Sequence, residues 1–255
     1  MSLRAFNLWL WPALLLGFVS ASTQADQVAF IKALKTEDMK TAYSLLGYVD
    51  DVNRPLDDGR TALMLASKFG MKEMVGDLIR AGADVNARNH NGGTALMYSA
   101  IRGDEATVDI LLQRGASVNL TAKFGWSALM VASAKGHAVI VRKLVNSGAD
   151  VNSRDVYHWT PLMRASFAGY AEAVSELLAH PLTDVNAGDE NEASALHHAA
   201  TNGHKDVVRV LLDHCARMSV KDKFGWSPLD RAIANEDELI VEILRDYESH
   251  QTKCQ

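Results

Sequence analysis

Cysteine, proline and clusters of like charge are all scarce in this sequence. Two cysteines and five prolines occur in 255 residues, and no Pro- or Ser-rich linker divides the chain. The formal net charge is −5 with no run of basic residues, which argues against nucleic acid as the main partner, because phosphate binding needs clustered positive charge. With 48% hydrophobic and 22% charged residues, the composition excludes a disordered or collagen-like chain and is typical of a globular protein.

Motifs of catalysis are missing as well. The chain has no phosphate-binding loop, no Gly-x-Ser-x-Gly elbow, no His-Glu-x-x-His motif and no paired-cysteine metal spacing. Its many Asp and Glu residues are expected at exposed helix positions, where solvation explains them. The sequence therefore predicts a protein that is not an enzyme and that carries no cofactor and no structural metal.

Long apolar runs are absent except at the N-terminus. Arg4 precedes an apolar run over residues 8–19, and small polar residues follow, which is the order of a secretory signal peptide. The run is too short for a membrane span, which takes about 20 residues. We expect a signal peptide over residues 1–25, cleaved after Ala21 or Ala25, and a mature protein outside the cytoplasm and free of the membrane. An uncleaved anchor and a transit peptide are the alternatives.

The rest of the chain is periodic. A hydroxyl residue followed two places later by Leu recurs at spacings of 33, 33, 33, 34 and 33 residues. A Val-Asn pair follows the first four of these anchors, and an earlier copy at Asn53 implies a degenerate repeat at about 28–57. A fixed period of this length indicates stacked structural repeats. The anchors of the first to sixth repeats are Thr61, Thr94, Ser127, Thr160, Ser194 and Ser227.

Each unit has the local signals of two helices and a hairpin. The anchor hydroxyl is a good N-cap, and a Gly nine residues later, such as Gly70, ends the first helix in a left-handed backbone. The second helix is apolar on one face, a second Gly such as Gly82 caps it, and a hairpin tip precedes the next anchor. Because neither helix can bury its apolar face alone, neighbouring units must stack into a solenoid.

The segments TALMLASKFG at 61–70 and LIRAGADVNAR at 78–88 resemble the ankyrin repeat. The resemblance implies an all-α ankyrin-repeat solenoid over residues 26–255, built of helix-turn-helix units with short hairpin tips. It further implies a non-catalytic, monomeric module that binds another protein through the tips and the inner surface of the first helices. With the signal peptide, a bacterial periplasmic protein is the best match, and a secreted effector or a eukaryotic secreted protein is the alternative. A second functional class is an inhibitor or stabilising accessory subunit of an exported enzyme.

Three departures from the repeat pattern carry expectations of their own. The extra residue of the 34-residue spacing lies in 178–184, where Pro181 replaces a glycine turn, so we expect a different loop without loss of stacking. His158 and Glu192 stand at tip positions where the other repeats have Gly, which predicts altered tip geometry there. Asn119 begins a formal glycosylation sequon, but its place in the hairpin predicts hydrogen bonds to backbone.

Aromatic and cationic residues concentrate at the positions through which the resemblance implies partner contacts. Solvated tips have no folding reason to carry Trp, Tyr and Phe, so a protein partner is expected there, with an acidic surface opposite the cations. The alternative for Trp126 and Trp159 is that they stack between neighbouring tips without a partner. The predicted partner-binding residues are Phe69, Arg102, Phe124, Trp126, Lys135, Tyr157, Trp159 and Phe167.

The two cysteines are candidates for a disulfide. Cys215 replaces the capping Gly of the fifth repeat's second helix, and Cys254 lies close to the C-terminal end of the chain. A bond between them would pin the last unit, which no further repeat covers. Two free thiols are the alternative.

The signal-peptide prediction has a direct test. Protein isolated from its native host should begin at Ser22 or Asp26, because the small residues before these positions fit the cleavage step. Intact-mass measurement identifies the N-terminal residue. A mature species that still begins at Met1 would contradict the prediction.

Overall fold

The computed structural model describes residues 25–249, which leaves out nearly all of the predicted signal peptide and also Cys254. Within that range the chain is helical and contains no strand beyond an isolated bridge between Thr121 and Ser127. None of the helices in this range combines the length and the apolar character that crossing a membrane requires. The helices are α1 (25–35), α2 (Met39–Leu46), α3 (Ala62–Phe69), α4 (Lys72–Arg80), α5 (Ala95–Arg102), α6 (Glu105–Gln113), α7 (Ala128–Lys135), α8 (Ala138–Asn146), α9 (Pro161–Ala168), α10 (Ala171–Leu178), α11 (Ala195–Thr201), α12 (Lys205–Asp213), α13 (Pro228–Ala234) and α14 (Glu238–Ser249).

The predicted capping signals begin and end the first helices. In the first repeat the Thr61 hydroxyl accepts a hydrogen bond from Met64 N, and Gly70 closes α3 with a φ of 69°. The same pair of caps recurs on α5, α7 and α9. A residue with a Cβ would be strained at the position of Gly70, and its Cβ would collide with the side chain of Arg102 from the next repeat. The glycine therefore serves both the helix end and the approach of the neighbouring unit.

Stacking of successive units forms the core. First helices pack on first helices, as α3 does on α5, and second helices pack on second helices, as α4 does on α6. The Leu two residues after each of the first five anchors is buried, as is the Met that follows it in four of them. Full burial of such a side chain stabilises by about 1.5–3 kcal/mol. The methionines at 64, 97, 130 and 163 thus pack inside the solenoid.

A side-chain amide links each repeat to the next. Asn119 Nδ2 donates to the carbonyl oxygen of Gly148 at 3.0 Å, and its Oδ1 accepts from Asp150 N at 2.9 Å. The predicted backbone role of this asparagine is therefore confirmed. Asn53, Asn86 and Asn152 make the same two bonds, and Asn186 makes the acceptor half, its Oδ1 accepting from Arg217 N at 2.8 Å.

The loop with the extra residue differs from its counterparts but keeps the bridge. No residue over 179–184 has a positive φ, whereas the second residue after each of α4, α6 and α8 is a left-handed Gly. Asn152 Nδ2 nevertheless donates to the Leu182 carbonyl, and Asn152 Oδ1 accepts from Asp184 N at 2.9 Å. Stacking survives the insertion, as the regular downstream anchors predicted.

The two tips in which another residue replaces glycine keep the left-handed backbone of a glycine tip. His158 and Glu192 have φ values of 60° and 62°, in the same left-handed region as Gly125 and Gly225 in other tips. The prediction of altered geometry at these two positions was wrong. The cost of about 1–2 kcal/mol for a left-handed residue is offset by hydrogen bonds on either side of it, since the Asp155 carboxylate accepts from the N–H groups of residues 157 and 159.

The two copies of KFGWS, at 123–127 and 223–227, adopt different conformations. In the second copy the Asp222 carboxylate accepts hydrogen bonds from Phe224 N and Trp226 N, at 2.9 and 3.0 Å. The first copy follows Ala122, which has no carboxylate, and there residues 123–125 form a turn of 3-10 helix with Phe124 at a φ of 64°. The residue before the motif therefore decides its backbone conformation.

This difference predicts that the same substitution, Phe to Gly, changes the free energy of unfolding differently in the two copies. Phe124→Gly should be about 1 kcal/mol more favourable for folding than Phe224→Gly, because only Phe124 is held left-handed. Both variants lose an exposed ring with a cation nearby, so each controls for the other. Urea denaturation followed by circular dichroism measures the difference. Equal changes in the free energy of unfolding would show that Phe124 carries no strain.

Candidate protein-binding surface

Four predicted partner-binding residues lie at the tips of the third and fourth repeats. Phe124 and Tyr157 project from neighbouring tips with 53% and 50% of their surface exposed. A backbone hydrogen bond from Val156 N to the Phe124 carbonyl, at 3.0 Å, joins these two tips. Trp126 and Trp159 follow in the same hairpins but are only partly exposed and pack against the core. The tips thus carry an outer pair of exposed rings and an inner pair of half-buried ones.

The inner pair belongs to a continuous stack. The Arg164 guanidinium, from α9, lies 4.4 Å from the Trp126 ring and 4.5 Å from the Trp159 ring. The Trp159 ring also contacts His198 of α11, with ring centroids 4.2 Å apart. We call Trp126, Arg164, Trp159 and His198 the ring stack. It crosses three repeats, so stacking between neighbouring tips is a real role of both tryptophans.

Buried carboxylates hold Arg164 and His198 in place. Asp155, whose side chain is wholly buried, forms an ion pair with Arg164, and Asp189 Oδ2 accepts from His198 Nε2 at 3.1 Å. Burial acts to raise the pKa of Asp189, but the His198 ring and the backbone N–H groups of Asn191 and Ala193 outweigh it and hold that pKa below its ordinary value. The Asp189 carboxylate is therefore ionised at neutral pH, and the two acids fix the orientation of the ring stack.

Sequence reasoning missed these acid–cation pairs. In each pair the acid lies five residues before the anchor and its partner four residues after it, so the two are nine residues apart. A third pair, Asp222 with Arg231, completes the set in the sixth repeat. The constant spacing of nine was a usable signal in the sequence. Earlier repeats fill the same two positions with Asn89 and Tyr98, hydrogen-bonded at 2.9 Å, and with Ala122 and Val131.

The remaining predicted residues lie on the first helices. Phe167 is 48% exposed and meets Trp159 edge-on with ring centroids 5.3 Å apart. Lys135 ends α7 and is exposed, and Arg102 ends α5, is exposed and lies against Gly70. Phe69 is half-buried against the core. The structure therefore brings Phe167 to the two tryptophans, whereas no ring or ion-pair contact joins Phe69, Arg102 or Lys135 to the ring stack.

Two histidines, His197 and His204, form hydrogen bonds that hold neighbouring repeats together. His197 is buried, with Nδ1 2.9 Å from the Ser194 hydroxyl and Nε2 3.1 Å from the Trp226 carbonyl oxygen. Burial lowers the pKa of His197 below its ordinary value, so the ring is neutral at pH 7. His204 Nε2 bonds the Phe167 carbonyl of the preceding repeat at 2.9 Å. In the described part of the chain, no three His, Cys, Asp or Glu side chains are placed to hold a metal ion.

Cys215 occupies the predicted helix-end position. Its φ of 62° is left-handed, like that of Gly82, Gly115 and Gly148 in other repeats. Residues 25–249 contain no free cysteine. Cys254 lies outside the described residues, and its pairing with Cys215 stays a prediction.

A family model described as ankyrin repeats, in three copies, matches residues 29–122, 114–189 and 176–254. Together the three matches cover nearly all of the described chain. They include the tips, the first helices and every residue of the ring stack.

Curated relatives match over shorter spans. A stretch of 65 residues is 40% identical to the mitochondrial glutaminase liver isoform of Rattus norvegicus, covering 25% of this chain and 11% of that protein. Another of 73 residues is 38% identical to serine/threonine-protein kinase 12 of Arabidopsis thaliana, covering 29% and 16%. A third, of 68 residues, is 32% identical to ankyrin repeat domain-containing protein 13B of Homo sapiens, covering 27% and 11%. The chain thus spans less than a fifth of the length of each of these relatives.

The acid–cation pairs generate a prediction about stability. Arg164→Val should lower the free energy of unfolding by about 3–5 kcal/mol, because it strands the buried Asp155 carboxylate. The double variant Asp155→Ala with Arg164→Val removes the stranded charge and should recover part of that loss, the rest being the hydrogen bonds that the carboxylate accepts from Tyr157 N and Trp159 N. Chemical denaturation of both variants measures the coupling. A double variant no more stable than Arg164→Val alone would contradict the assignment.

Proposed function

Because the chain belongs to the ankyrin-repeat family, whose repeats are generally protein–protein interaction modules, we propose that it is a non-catalytic module that binds one protein partner. The partner docks on the tips and first helices of the third and fourth repeats. The observation that carries this proposal is the exposure of Phe124, Tyr157 and Phe167 beside the ring stack. Large exposed aromatic side chains grouped on one surface are typical of interfaces.

The ring stack and the exposed rings have separate tasks in this proposal. Trp126 and Trp159 are fixed by Arg164 and its buried carboxylate, so they form a rigid base. The exposed rings stand on that base and meet the partner. A surface already ordered before binding loses little conformational entropy when the partner arrives.

Cations border this surface. Lys135 ends α7, Arg102 ends α5, and Lys123 lies in the third tip with its ammonium group 5.2 Å from the Phe124 ring. All three side chains are exposed. Complementary charge speeds the encounter of two proteins and selects the partner, so we propose that the partner presents an acidic surface here.

We further propose that the protein works outside the cytoplasm, with the periplasm as the compartment. Support comes from Arg4, the apolar run over residues 8–19 and the small residues after it. The proposed Cys215–Cys254 disulfide agrees with this location, since such bonds persist in oxidising compartments.

Affinity capture from the exported fraction of the native host tests the interface. A variant with Phe124, Tyr157 and Phe167 all changed to Ser should capture the partner at least about tenfold more weakly than the wild type, because truncation of interface anchors costs at least about 2 kcal/mol. Its melting temperature should stay close to that of the wild type, since all three side chains are exposed.

The matched control changes exposed apolar residues away from the tips. Leu182, in the loop after α10, and Leu239, on α14, are both exposed, and their Ser variants should capture the partner normally. Undiminished capture by the triple Ser variant would disprove the proposed surface. Equal loss in the control would mean that the loss of any exposed apolar side chain weakens capture.

A further inference from the structure

The sixth repeat is the last one that the structure describes, and its outer side is exposed. In the five repeats before it, the residue six places after the anchor is a Ser or an Ala that is wholly buried. These residues are Ser67, Ala100, Ser133, Ser166 and Ala200. The sixth repeat has Ile233 at this position, and 49% of its surface is exposed. A large apolar side chain therefore faces solvent at this end of the solenoid.

The backbone of the sixth tip is open in the same way. Each earlier tip accepts a hydrogen bond from the tip that follows it. Phe124 O accepts from Val156 N at 3.0 Å, for example, and Asn191 O accepts from Lys223 N at 2.9 Å. The matching acceptor in the sixth tip is the carbonyl oxygen of Phe224, and within residues 25–249 no N–H or O–H group donates to it. The row of tips thus ends on an acceptor without a donor.

A cavity of about 440 Å³ lies at this open end. Phe224, Trp226 and Ile233 line its apolar part, and Lys221 and Asp230 line its charged part. Phe224 is 67% exposed and Trp226 is 39% exposed. Both rings are therefore accessible to a ligand that enters the cavity.

The surroundings of this cavity are acidic. Hydrogen bonds from the hydroxyl and the backbone N–H of Ser227 hold the pKa of Asp230 below its ordinary value, so its carboxylate is ionised at neutral pH. Ile233 also lines a second cavity, of about 660 Å³. The charged residues of that second cavity are one cation, Arg245, and five acids, Glu236, Asp237, Glu238, Glu242 and Asp246. Because the acids outnumber the cations, this end of the solenoid attracts positive charge.

A further repeat of the same kind does not fit here in the standard register. The first five anchors are each followed nine residues later by Gly, and a Cβ added at Gly136 would collide with the Tyr170 ring of the next unit. The sixth repeat has Glu236 at this position, with a side chain and a left-handed φ of 55°. Ile233 adds further bulk where the other repeats have Ser or Ala. The open end is therefore not shaped to stack on a second copy of the chain.

Earlier repeats show what covers a tryptophan at this position. The Arg164 guanidinium comes from the repeat after Trp126 and lies 4.4 Å from its ring. The His198 ring comes from the repeat after Trp159, with ring centroids 4.2 Å apart. Both are planar groups that carry nitrogen. Trp226 lies 5.1 Å from Arg231 of its own repeat, and the described chain has no following repeat to supply the second group.

We propose that this end of the solenoid binds an arginine side chain on an extended segment of the protein partner. The proposal rests on the protein-binding function above and adds a contact two repeats beyond the exposed rings. The guanidinium stacks on Trp226 as Arg164 stacks on Trp126, and a backbone N–H of the segment donates to Phe224 O. The partner then presents acidic groups to the third and fourth repeats and a basic group to the sixth.

The chemistry of the site selects arginine over other side chains. A neutral ring could cover Trp226 but would gain nothing from the acids around the cavity. Lysine carries the charge, but its ammonium group is not planar and does not stack on an indole as a guanidinium does. An acidic side chain would be repelled by Asp230 and by the acids of the second cavity.

Titration of the mature protein with a short peptide tests the site without the partner. The probe is acetyl-Gly-Arg-Gly-amide, and the readout is the indole Nε1–H resonance of Trp226 in nitrogen-15 NMR, assigned as the one lost in Trp226→Phe. This resonance should move and saturate as the peptide is added. The control peptide has citrulline in place of arginine, which keeps the planar shape without the charge. It should bind at least about threefold more weakly.

A substitution in the protein gives a second measurement. Ile233→Lys places a positive charge beside the cavity and should abolish the response of the Trp226 resonance to the arginine peptide, because like charges repel. The matched control is Ile101→Lys on α5, since Ile101 is 48% exposed, and it should leave the response unchanged. Both variants should melt within about 2 °C of the wild type, as is usual for exposed positions.

The two proposals fail in different ways. A Trp226 resonance that stays in place, that responds equally to the citrulline peptide, or that still moves in Ile233→Lys disproves the arginine site and leaves the exposed-ring surface standing. Normal capture by the triple Ser variant disproves the exposed-ring surface and leaves the arginine site standing.

Discussion

The side-chain amide of the hairpin asparagine determines how each repeat lies on the next. Asn119 donates to a carbonyl oxygen of the following unit and accepts from a backbone N–H two residues further on, so any slide or rotation of that unit breaks both bonds. The bridge recurs even where an inserted residue changes the loop, at Asn152. The burial of the first-helix leucines, the tip-to-tip backbone bonds and the ring stack all depend on this constant register.

Most of the fold could be predicted because a solenoid repeats the same helix-turn-helix unit with the same capping residues. The anchor hydroxyl, the glycine nine residues later and the Val-Asn pair each have a local physical reason, and their period places the helices. The failure at His158 and Glu192 has an equally physical cause. Glycine propensity describes an isolated residue, whereas these two tips are held by an Asp carboxylate and by backbone bonds to the neighbouring tips. Tertiary contacts outweighed the local preference.

The candidate site could be predicted only in part. Position within the repeat placed Phe124, Tyr157 and Phe167 correctly on the exposed side, because exposure follows from the period. Position within the repeat could not show that Trp126 and Trp159 both contact Arg164, because Arg164 lies on α9 and not in the tips. The one trace of this contact in the sequence is the nine-residue spacing between Asp155 and Arg164. Similarly, the two KFGWS motifs are identical in sequence but differ in conformation, because Ala122 precedes the first and Asp222 the second. A comparison of the motifs alone cannot detect this difference.

The placement of the tryptophans determines which part of the protein its tryptophan fluorescence reports on. Of its five tryptophans, Trp9 and Trp11 lie in the predicted signal peptide, so a processed chain would keep Trp126, Trp159 and Trp226, each directly before an anchor. All three lie against an arginine side chain, and Trp226, in the tip of the sixth repeat, is 39% exposed. The tryptophan emission of such a chain would come from the base of the hairpin tips. Tryptophan fluorescence would therefore report a ligand, a partner or local fraying there without a label, whereas events on the second helices would leave it unchanged.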